Sequence, residues 1–217
     1  MTSPFFKATS LSLLLLTMMT ALRAADAPVV PAEPTLNHLK ECNTLVASSS
    51  ESPSLPVAAA RAATTKGQNP IAVVVTCSDS RTAPEIIFGK NLGRLFVVRT
   101  AGNVVDDVAL GSIEYAVENL GVRLVIVMGH TECGAVKATV SGCHFPAHIA
   151  SIVKKIRPAV NQAKTEQGDL LANSIRDNAK NVASQIRHDG AIPKNITGLK
   201  VIPAVYDLET GKITWVD

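Results

Sequence analysis

The stretch IAVVVTCSDSR, residues 71–81, joins an uninterrupted apolar run to a cysteine, an aspartate and an arginine at alternate positions. A continuously apolar strand is typical of a parallel sheet that helices cover on both faces. Ligands of such sheets bind beyond the carboxyl ends of the strands. We therefore expect Cys77, Asp79 and Arg81 at the edge of the sheet where a ligand binds.

Two more apolar runs, RLFVVRT (94–100) and RLVIVMGH (123–130), are predicted to be strands of the same sheet. An amphipathic helix is predicted between them, and the chain closes with two strands joined by a turn at residues 209–211. Alternating strands and helices predict right-handed crossovers and parallel strands. The expected fold class is α/β, with about four parallel strands, an antiparallel edge strand and flanking helices.

Further helices are predicted from their apolar spacing and their end signals. Thr82 and Glu85 have the spacing of a capping box, so a short helix is expected to begin at Thr82. The longer predicted helices cover residues 36–47, 57–67, 148–164 and 169–187.

The first residues of the chain have the order of a secretory signal peptide. Lys7 precedes an apolar stretch over residues 11 to about 22, and small residues follow it. That stretch is shorter than the roughly 20 residues of a membrane span. We expect residues 1–24 to be the signal peptide, with cleavage between 24 and 27; an uncleaved amphipathic N terminus or a buried helix is the alternative. The mature protein is thus expected to be periplasmic or secreted, without stable membrane insertion.

The composition of the remaining chain is that of a folded globular protein, with 47% apolar and 18% charged residues overall. A Pro-rich extended lead-in is expected over residues 25–35, followed by a single domain over 36–217. The formal net charge is +3, with no long basic run interleaved with aromatic residues. This pattern argues against nucleic-acid binding.

A metal site is predicted where two of the strands end. His130 ends the third strand and Cys133 follows three residues later, while Cys77 ends the first strand. Two thiolates and one imidazole with an open fourth position are a known ligand set of catalytic zinc. Thr131 is a candidate cap of a helix whose first turn would contain Cys133, where the helix dipole favours a thiolate. One Zn²⁺ per chain is therefore expected.

Other readings of the cysteines remain open at this point. In an oxidising compartment Cys77 and Cys133 could form a disulfide, and so could Cys42 and Cys143. The sequence CHFPAH, residues 143–148, offers a cysteine and two histidines, but a loop leading into a helix is the favoured interpretation. The chain has no C-x-x-C motif, which argues against a thiol-redox protein.

With these residues identified, CSDSR followed about fifty residues later by GHTECG resembles the β-class carbonic anhydrases. The likeness extends over AGN (101–103), SIEYAVENLGV (112–122) and VIPAVYDLETGKITWV (201–216). It implies that the 36–217 domain is catalytic, in an exported form of bacterial type. The implied activity is that of a carbonate dehydratase, the zinc-dependent reversible hydration of carbon dioxide to bicarbonate and a proton.

The resemblance also implies a role for each matching residue. Cys77, His130 and Cys133 would bind zinc, and Asp79 with Arg81 would orient the attacking zinc-bound hydroxide. In a closed form Asp79 would become a fourth ligand, from which Arg81 holds it away. The substrate pocket, whose aromatic pair commonly comes from the partner subunit, would be formed by Gln68, Phe96, Tyr115 and Gly134.

Two positions refine the resemblance. Val74 stands where one subgroup of the family has a tryptophan, so the pocket is of the plant type and no inhibitory bicarbonate site is expected. Thr100 stands where many members have asparagine, but it keeps a polar side chain. The family further implies a homodimer or a dimer of dimers, with the N-terminal helices packed on the partner subunit.

Two alternative functions are compatible with the same ligands. One is hydrolysis of carbonyl sulfide or carbon disulfide on the same fold. The other is a non-catalytic zinc-binding protein in which Asp79 closes the site. A purely structural site has no use for Arg81, Gln68 or Tyr115, which argues against the second alternative.

Overall fold

A computed structural model describes residues 28–188, 190, 192 and 196–216. The predicted signal peptide lies outside these residues and stays a prediction. No helix within the described ranges is long and apolar enough to cross a membrane.

The strands are β1 (Ala72–Cys77), β2 (Leu95–Thr100), β3 (Leu124–His130), β4 (Lys200–Tyr206) and β5 (Ile213–Trp215). The α-helices are α1 (Ala32–Ser48), α2 (Val57–Ala63), α3 (Pro84–Ile87), α4 (Asp107–Asn119), α5 (Gly134–Ser141), α6 (Ala147–Ala163) and α7 (Leu170–His188).

The strands form one sheet in the order β2-β1-β3-β4-β5. The first four are parallel, and β5 pairs antiparallel with β4 at the edge, which confirms the predicted fold class. The chain leaves β1 for β2 on one side, whereas β3 lies on the other side of β1. The crevice between the carboxyl ends of β1 and β3 is therefore the position at which such sheets bind ligands.

Both faces of the sheet are covered, which explains the uninterrupted valine run of β1. Val73 and Val75 face a core that also contains buried residues of α4 and α7. Val74 faces the opposite core, which contains residues of α1 together with Ile87 at the end of α3. Because successive side chains of a strand point to opposite faces, a strand buried on both sides must be apolar at every position.

Helix α1 begins earlier than predicted and packs on this chain's own sheet. It starts at Ala32, so the end of the lead-in predicted over 25–35 is helical. Pro34 lies in the first turn, where a missing N–H removes no helical hydrogen bond. Leu36 and Leu39 are buried in the core that contains Val74. Helix α2 buries none of its residues, and the packing of these helices on a partner subunit remains a prediction.

The capping box predicted at Thr82 is not formed. Helix α3 begins at Pro84 with Ala83 at the N-cap, and no side chain caps it. The Thr82 hydroxyl instead donates to the carbonyls of Cys77 at 3.1 Å and Asp79 at 3.0 Å. Proline at the first position of the helix fixes its start one residue later than the capping-box spacing predicts, with Ala83 and not Thr82 at the N-cap. Thr82 thus closes the turn that follows β1.

Candidate metal centre

The structure brings Cys77, His130 and Cys133 together at the predicted crevice. Cys77 ends β1, His130 ends β3, and Cys133 immediately precedes α5. Their ligand atoms all lie within 4.8 Å of one another, and all three residues are buried. The two parallel strands end beside each other, so ligands that are 53 positions apart meet without a long loop.

Cys133 occupies the N-cap of α5, whereas the sequence predicts it in the first turn of that helix. Glu132, just before it, has a left-handed backbone with φ of 60°, which turns the chain sharply after β3. Thr131 does not cap the helix; its N–H donates to the carbonyl of Tyr206 at 2.9 Å and its hydroxyl accepts from the Leu208 N–H at 2.9 Å. These bonds to the end of β4 hold the turn that carries Cys133.

The imidazole of His130 is oriented as a metal ligand. Its Nδ1 lies 2.8 Å from the Thr131 carbonyl oxygen, which can only accept, so Nδ1 carries the proton and donates. Nε2 then has a free lone pair, is completely buried, and has no hydrogen-bond partner. A metal-bound histidine characteristically donates its other N–H to a carbonyl in this way. The orphaned Nε2 beside two cysteine sulfurs therefore fits a bound zinc ion.

The two thiols are coupled to each other. The hydrogen bond with Cys133 lowers the pKa of Cys77, against the opposing effect of burial. The same hydrogen bond, together with burial, raises the pKa of Cys133. The shared hydrogen bond therefore favours one thiolate and one retained proton in the metal-free pair. A divalent cation can displace the retained proton, because thiolates are the form that binds metal.

Asp79 and Arg81 form a bidentate ion pair next to the ligands. Arg81 Nε donates to Asp79 Oδ1 at 2.9 Å, its terminal nitrogen donates to Oδ2 at 2.8 Å, and its backbone N–H donates to Oδ1 at 3.0 Å. The Arg81 guanidinium holds the pKa of Asp79 well below its usual range. Asp79 Oδ2 lies 3.9 Å from Nε2 of His130, so the carboxylate borders the metal centre.

Hydrogen bonds from residues with no predicted role in the site hold Cys77 in place. The Gly102 N–H donates to Cys77 Sγ at 3.2 Å, and Asn178 Nδ2 of α7 donates to the Gly102 carbonyl at 2.8 Å. Gly102 has φ of 69°, and a Cβ there would lie 2.7 Å from Ile156 Cδ1. Arg99 Nε donates to the Cys77 carbonyl at 3.1 Å. The AGN motif was the only sequence signal for this support.

Thr100, the departure noted above, retains a polar function. Its hydroxyl donates to the Val104 carbonyl and closes the 3₁₀ turn Ala101–Asn103. This turn contains Gly102, so Thr100 helps to hold the N–H that contacts Cys77.

One candidate substrate residue, Gly134, lies beside the metal ligands, and the other three lie toward the opposite end of the sheet. Gly134 is the first residue of α5, and a Cβ built on it would meet no atom beyond its chain neighbours and its own helix backbone, so the space beside it next to Cys133 is open. Gln68 is exposed ahead of the amino end of β1, and Cys77 is at the other end of that strand. Phe96 and Tyr115 pack together with ring centroids 6.4 Å apart. Phe96 lies four residues, roughly 13 Å, before the strand position paired with Cys77.

The alternative readings of the cysteines are not supported. All four cysteines are free, so neither of the two possible disulfides is formed. Among the described residues, the only cluster of three metal-ligating side chains is Cys77, His130 and Cys133. Cys143 is exposed in the loop between α5 and α6, as the loop interpretation of residues 143–148 predicts.

Comparisons with known proteins identify the family. The family model described as "Carbonic anhydrase" matches residues 72–213. "Carbonic anhydrase 2" of Mycobacterium tuberculosis is 38% identical over 159 residues, which cover 70% of this chain and 77% of that protein. The carbonic anhydrase of Pseudomonas aeruginosa is 32% identical over 166 residues, covering 69% of this chain and 74% of that protein.

Solved structures agree with this assignment. The β-carbonic anhydrase CcaA superposes with a TM-score of 0.62 at 26% identity, covering 70% of this chain and 81% of that chain. CafA of Aspergillus fumigatus superposes with a TM-score of 0.59 at 27% identity, covering 70% and 77%. A tetrameric β-carbonic anhydrase of Sordaria macrospora shares the fold, with a TM-score of 0.64 at 24% identity over 69% of this chain and 82% of that one. The matched family model, the relatives and the Cys-His-Cys centre at the β1–β3 crevice together show that this chain belongs to the β class of the carbonic anhydrase family.

Proposed function

We propose that this protein catalyses the reversible hydration of carbon dioxide to bicarbonate and a proton, the reaction of EC 4.2.1.1. The observation that carries the proposal is the buried, unpartnered Nε2 of His130, which lies beside two cysteine sulfurs and an arginine-bound carboxylate. Family membership supplies the reaction class, and this arrangement supplies the groups that the reaction needs.

The ligand set accounts for how the cofactor is held. Cys77 and Cys133 would bind zinc through their sulfurs and His130 through Nε2, which leaves one position open. When bound, zinc supplies a Lewis acid that makes water acidic enough to yield hydroxide near neutral pH. Two thiolates donate more charge to the metal than imidazoles do, so the remaining groups of the site matter more for activating the nucleophile.

Asp79 is proposed to orient the attacking water or hydroxide. Its carboxylate can accept a hydrogen bond from the water or hydroxide and so direct the oxygen lone pair toward the carbon of the substrate. Arg81 donates three hydrogen bonds to Asp79 and so keeps it ionised and turned in one direction. The same bonds oppose movement of Asp79 onto the metal, so we propose that the open form is the resting state.

Gly134 is proposed to stabilise the charge that develops on a substrate oxygen. As the first residue of α5, its N–H has no partner within the helix. A backbone N–H aimed at an oxygen that becomes negative stabilises the transition state more than the ground state. The lack of a side chain leaves room for a small substrate at this position.

We propose that a partner subunit completes the pocket. Within one chain Gln68, Phe96 and Tyr115 lie toward the far end of the sheet from Cys77. Strand β2 is an edge strand, and on the neighbouring α4 Val108 is 80% and Tyr115 49% exposed. An exposed apolar edge of this kind is suited to pairing with a second copy. The proposed assembly is a homodimer or a dimer of dimers.

Zinc content measured beside stopped-flow hydration of carbon dioxide tests the proposed function. We expect one zinc ion per chain and rapid hydration that is lost on chelation and restored by Zn²⁺. Zinc binding without hydration would indicate the non-catalytic alternative. Turnover of carbonyl sulfide or carbon disulfide in preference to carbon dioxide would indicate the hydrolase.

We also propose that the protein is exported. The support is the sequence of residues 1–24, in which Lys7 precedes an apolar stretch and small residues lie near the expected cleavage site. Expression of the full chain in a bacterial host, followed by cell fractionation and N-terminal sequencing, tests this. A mature protein that begins between residues 25 and 28 outside the cytoplasm is expected, and a full-length cytoplasmic product would contradict the proposal.

A further inference from the structure

A second group of reactive side chains lies away from the metal centre, on α1. His38 and Cys42 are one helical turn apart, and Lys90, which follows α3, reaches both of them. Lys90 Nζ lies 3.0 Å from Cys42 Sγ and 2.8 Å from His38 Nε2. Cys42 Sγ lies 3.7 Å from the same His38 nitrogen. A thiol, an amine and an imidazole are thus in mutual contact.

The backbone on both sides of this cluster is held in place. Asn43, next to Cys42, donates through Nδ2 to the carbonyls of Ile87 at 3.3 Å and Gly211 at 2.9 Å, and its Oδ1 accepts from the Ile213 N–H at 3.0 Å. The Lys90 N–H donates to the Glu85 carbonyl at 2.8 Å. Because both backbone segments are fixed, the fold keeps the sulfur and the amine within reach of each other.

We propose that Cys42 and Lys90 form a covalent sulfur–nitrogen bond when the protein meets a hydroperoxide. The Cys42 sulfur attacks the peroxide, the O–O bond breaks, and sulfur takes one oxygen to become a sulfenic acid while the other oxygen leaves as water or an alcohol. The sulfur is oxidised by two electrons and the peroxide is reduced by the same two. A sulfenic acid condenses with a nearby nucleophile, as it does with a thiol or a nitrogen.

The adjacent groups supply the second step. Lys90 Nζ, having given a proton to His38 Nε2, attacks the sulfur; the S–N bond forms as the S–O bond breaks. The departing hydroxyl takes up a proton and leaves as water, so the product is a sulfenamide. Holding the amine against the sulfur makes this step intramolecular, which favours it over attack by a thiol in solution. The product ties α1 to the segment between α3 and β2.

Peptide mapping of the full, zinc-loaded protein after treatment with hydrogen peroxide tests the proposal. We expect a joined pair of peptides linked through Cys42 and Lys90, with the summed mass less two hydrogens. Dithiothreitol is expected to separate them, because thiols reduce a sulfenamide. Mapping assigns each oxidised cysteine separately, so oxidation of Cys77, Cys133 or Cys143 does not obscure the result.

Matched variants separate this chemistry from simple oxidation of a thiol. Lys90→Arg keeps the cation but has no amine that can lose its proton, so it should give no joined peptides and should leave Cys42 as a sulfenic acid that dimedone labels. His38→Gln should slow formation of the joined pair about ten-fold or more, since it removes the proton acceptor. Lys66→Arg, a change at an exposed lysine, should behave as the wild type. Equal dimedone labelling of Cys42 in the wild type and in Lys90→Arg, without joined peptides in either, would overturn the proposal.

Discussion

The carboxylate of Asp79 is held in one orientation, since each of its oxygens accepts a hydrogen bond from Arg81. The alternate positions of Cys77, Asp79 and Arg81 place a candidate metal ligand, the carboxylate proposed to orient the nucleophile, and its arginine partner at the end of β1 and in the turn that follows it. Thr82 and Arg99 fix that turn through the carbonyl of Cys77. The geometry of the acceptor is thus set by the backbone as well as by the ion pair.

Asp79→Asn is expected to retain zinc and to lose most of the hydration activity. The amide keeps the size of the side chain but not the acceptor charge, and zinc is held by other residues. Zinc content and stopped-flow hydration measure the two effects. Glu209→Gln, which changes the charge by the same amount at an exposed turn, is the control. Hydration at the wild-type rate in Asp79→Asn would contradict the role assigned to this residue.

Arg81→Lys tests whether activity depends on the bidentate contact between Arg81 and Asp79 or only on the positive charge. A lysine keeps the positive charge but cannot bond both carboxylate oxygens in the planar geometry of arginine. We expect kcat/KM to fall about ten-fold, equivalent to about 1.4 kcal/mol, with unchanged zinc content. Unchanged kcat/KM in Arg81→Lys would show that charge alone suffices.

At the scale of secondary structure, α7 is the element that departs furthest from the sequence pattern. Its apolar spacing predicts the helix, but α7 also buries four polar side chains, Asn173, Ser174, Asp177 and Asn178. Polar residues on a helix normally predict a solvated face. Here Asn178 contacts the turn that holds Cys77, and the sequence does not show this because the two partners are 76 positions apart.

Asn178→Ala is expected to weaken both the fold and the zinc site. The change leaves the buried Gly102 carbonyl without its donor, at a cost of about 1–3 kcal/mol of unfolding free energy. It also loosens the N–H that contacts Cys77 Sγ. Chemical denaturation and competition with a zinc chelator measure the two effects. Asn181→Ala, one turn further along α7, is the matched control; equal behaviour of the two variants would count against the link between α7 and the metal centre.

At the scale of the whole molecule, the metal centre joins two separate pieces of the chain, one with Cys77 and one with His130 and Cys133. Cys77 comes from β1, His130 from β3 and Cys133 from the start of α5. A ligand that binds only when these pieces are assembled stabilises the folded state. Of the candidate pocket residues, Phe96 lies on β2 and Tyr115 on α4, at the edge where we propose that a second subunit completes the pocket.

Zinc-free protein is expected to melt at least about 5 °C below protein saturated with zinc. Zn²⁺ should restore the melting temperature, and the difference between zinc-loaded and zinc-free protein should become smaller as the pH falls, because protons compete with the metal for the thiolates. Differential scanning fluorimetry with and without a chelator measures this. A melting temperature that does not respond to the chelator, in protein shown to have lost its zinc, would contradict the coupling of metal and fold.

Val108→Asp is expected to break the proposed subunit interface. Val108 is the most exposed large apolar side chain of α4, and a charge there would oppose burial against a partner. We expect monomers in sedimentation or light scattering and a loss of hydration, since the pocket would be incomplete. Ile149→Asp on α6, away from the β2 edge, is the control. Active monomers of Val108→Asp would refute the shared pocket.

The sequence by itself determined the strand positions, the parallel sheet with its antiparallel edge, the family and the three residues that meet at the metal centre. The strands, the sheet and the meeting of the three ligands follow from local periodicity and from the rule that parallel strands end at one edge, and the family follows from the resemblance of the motifs. Tertiary structure alone decided the start of α1, the position of Cys133 at the N-cap, the link from Asn178 to Cys77, and the contact of Lys90 with Cys42. Each of these depends on which segments pack against one another across the sheet, and no local pattern of residues records that choice.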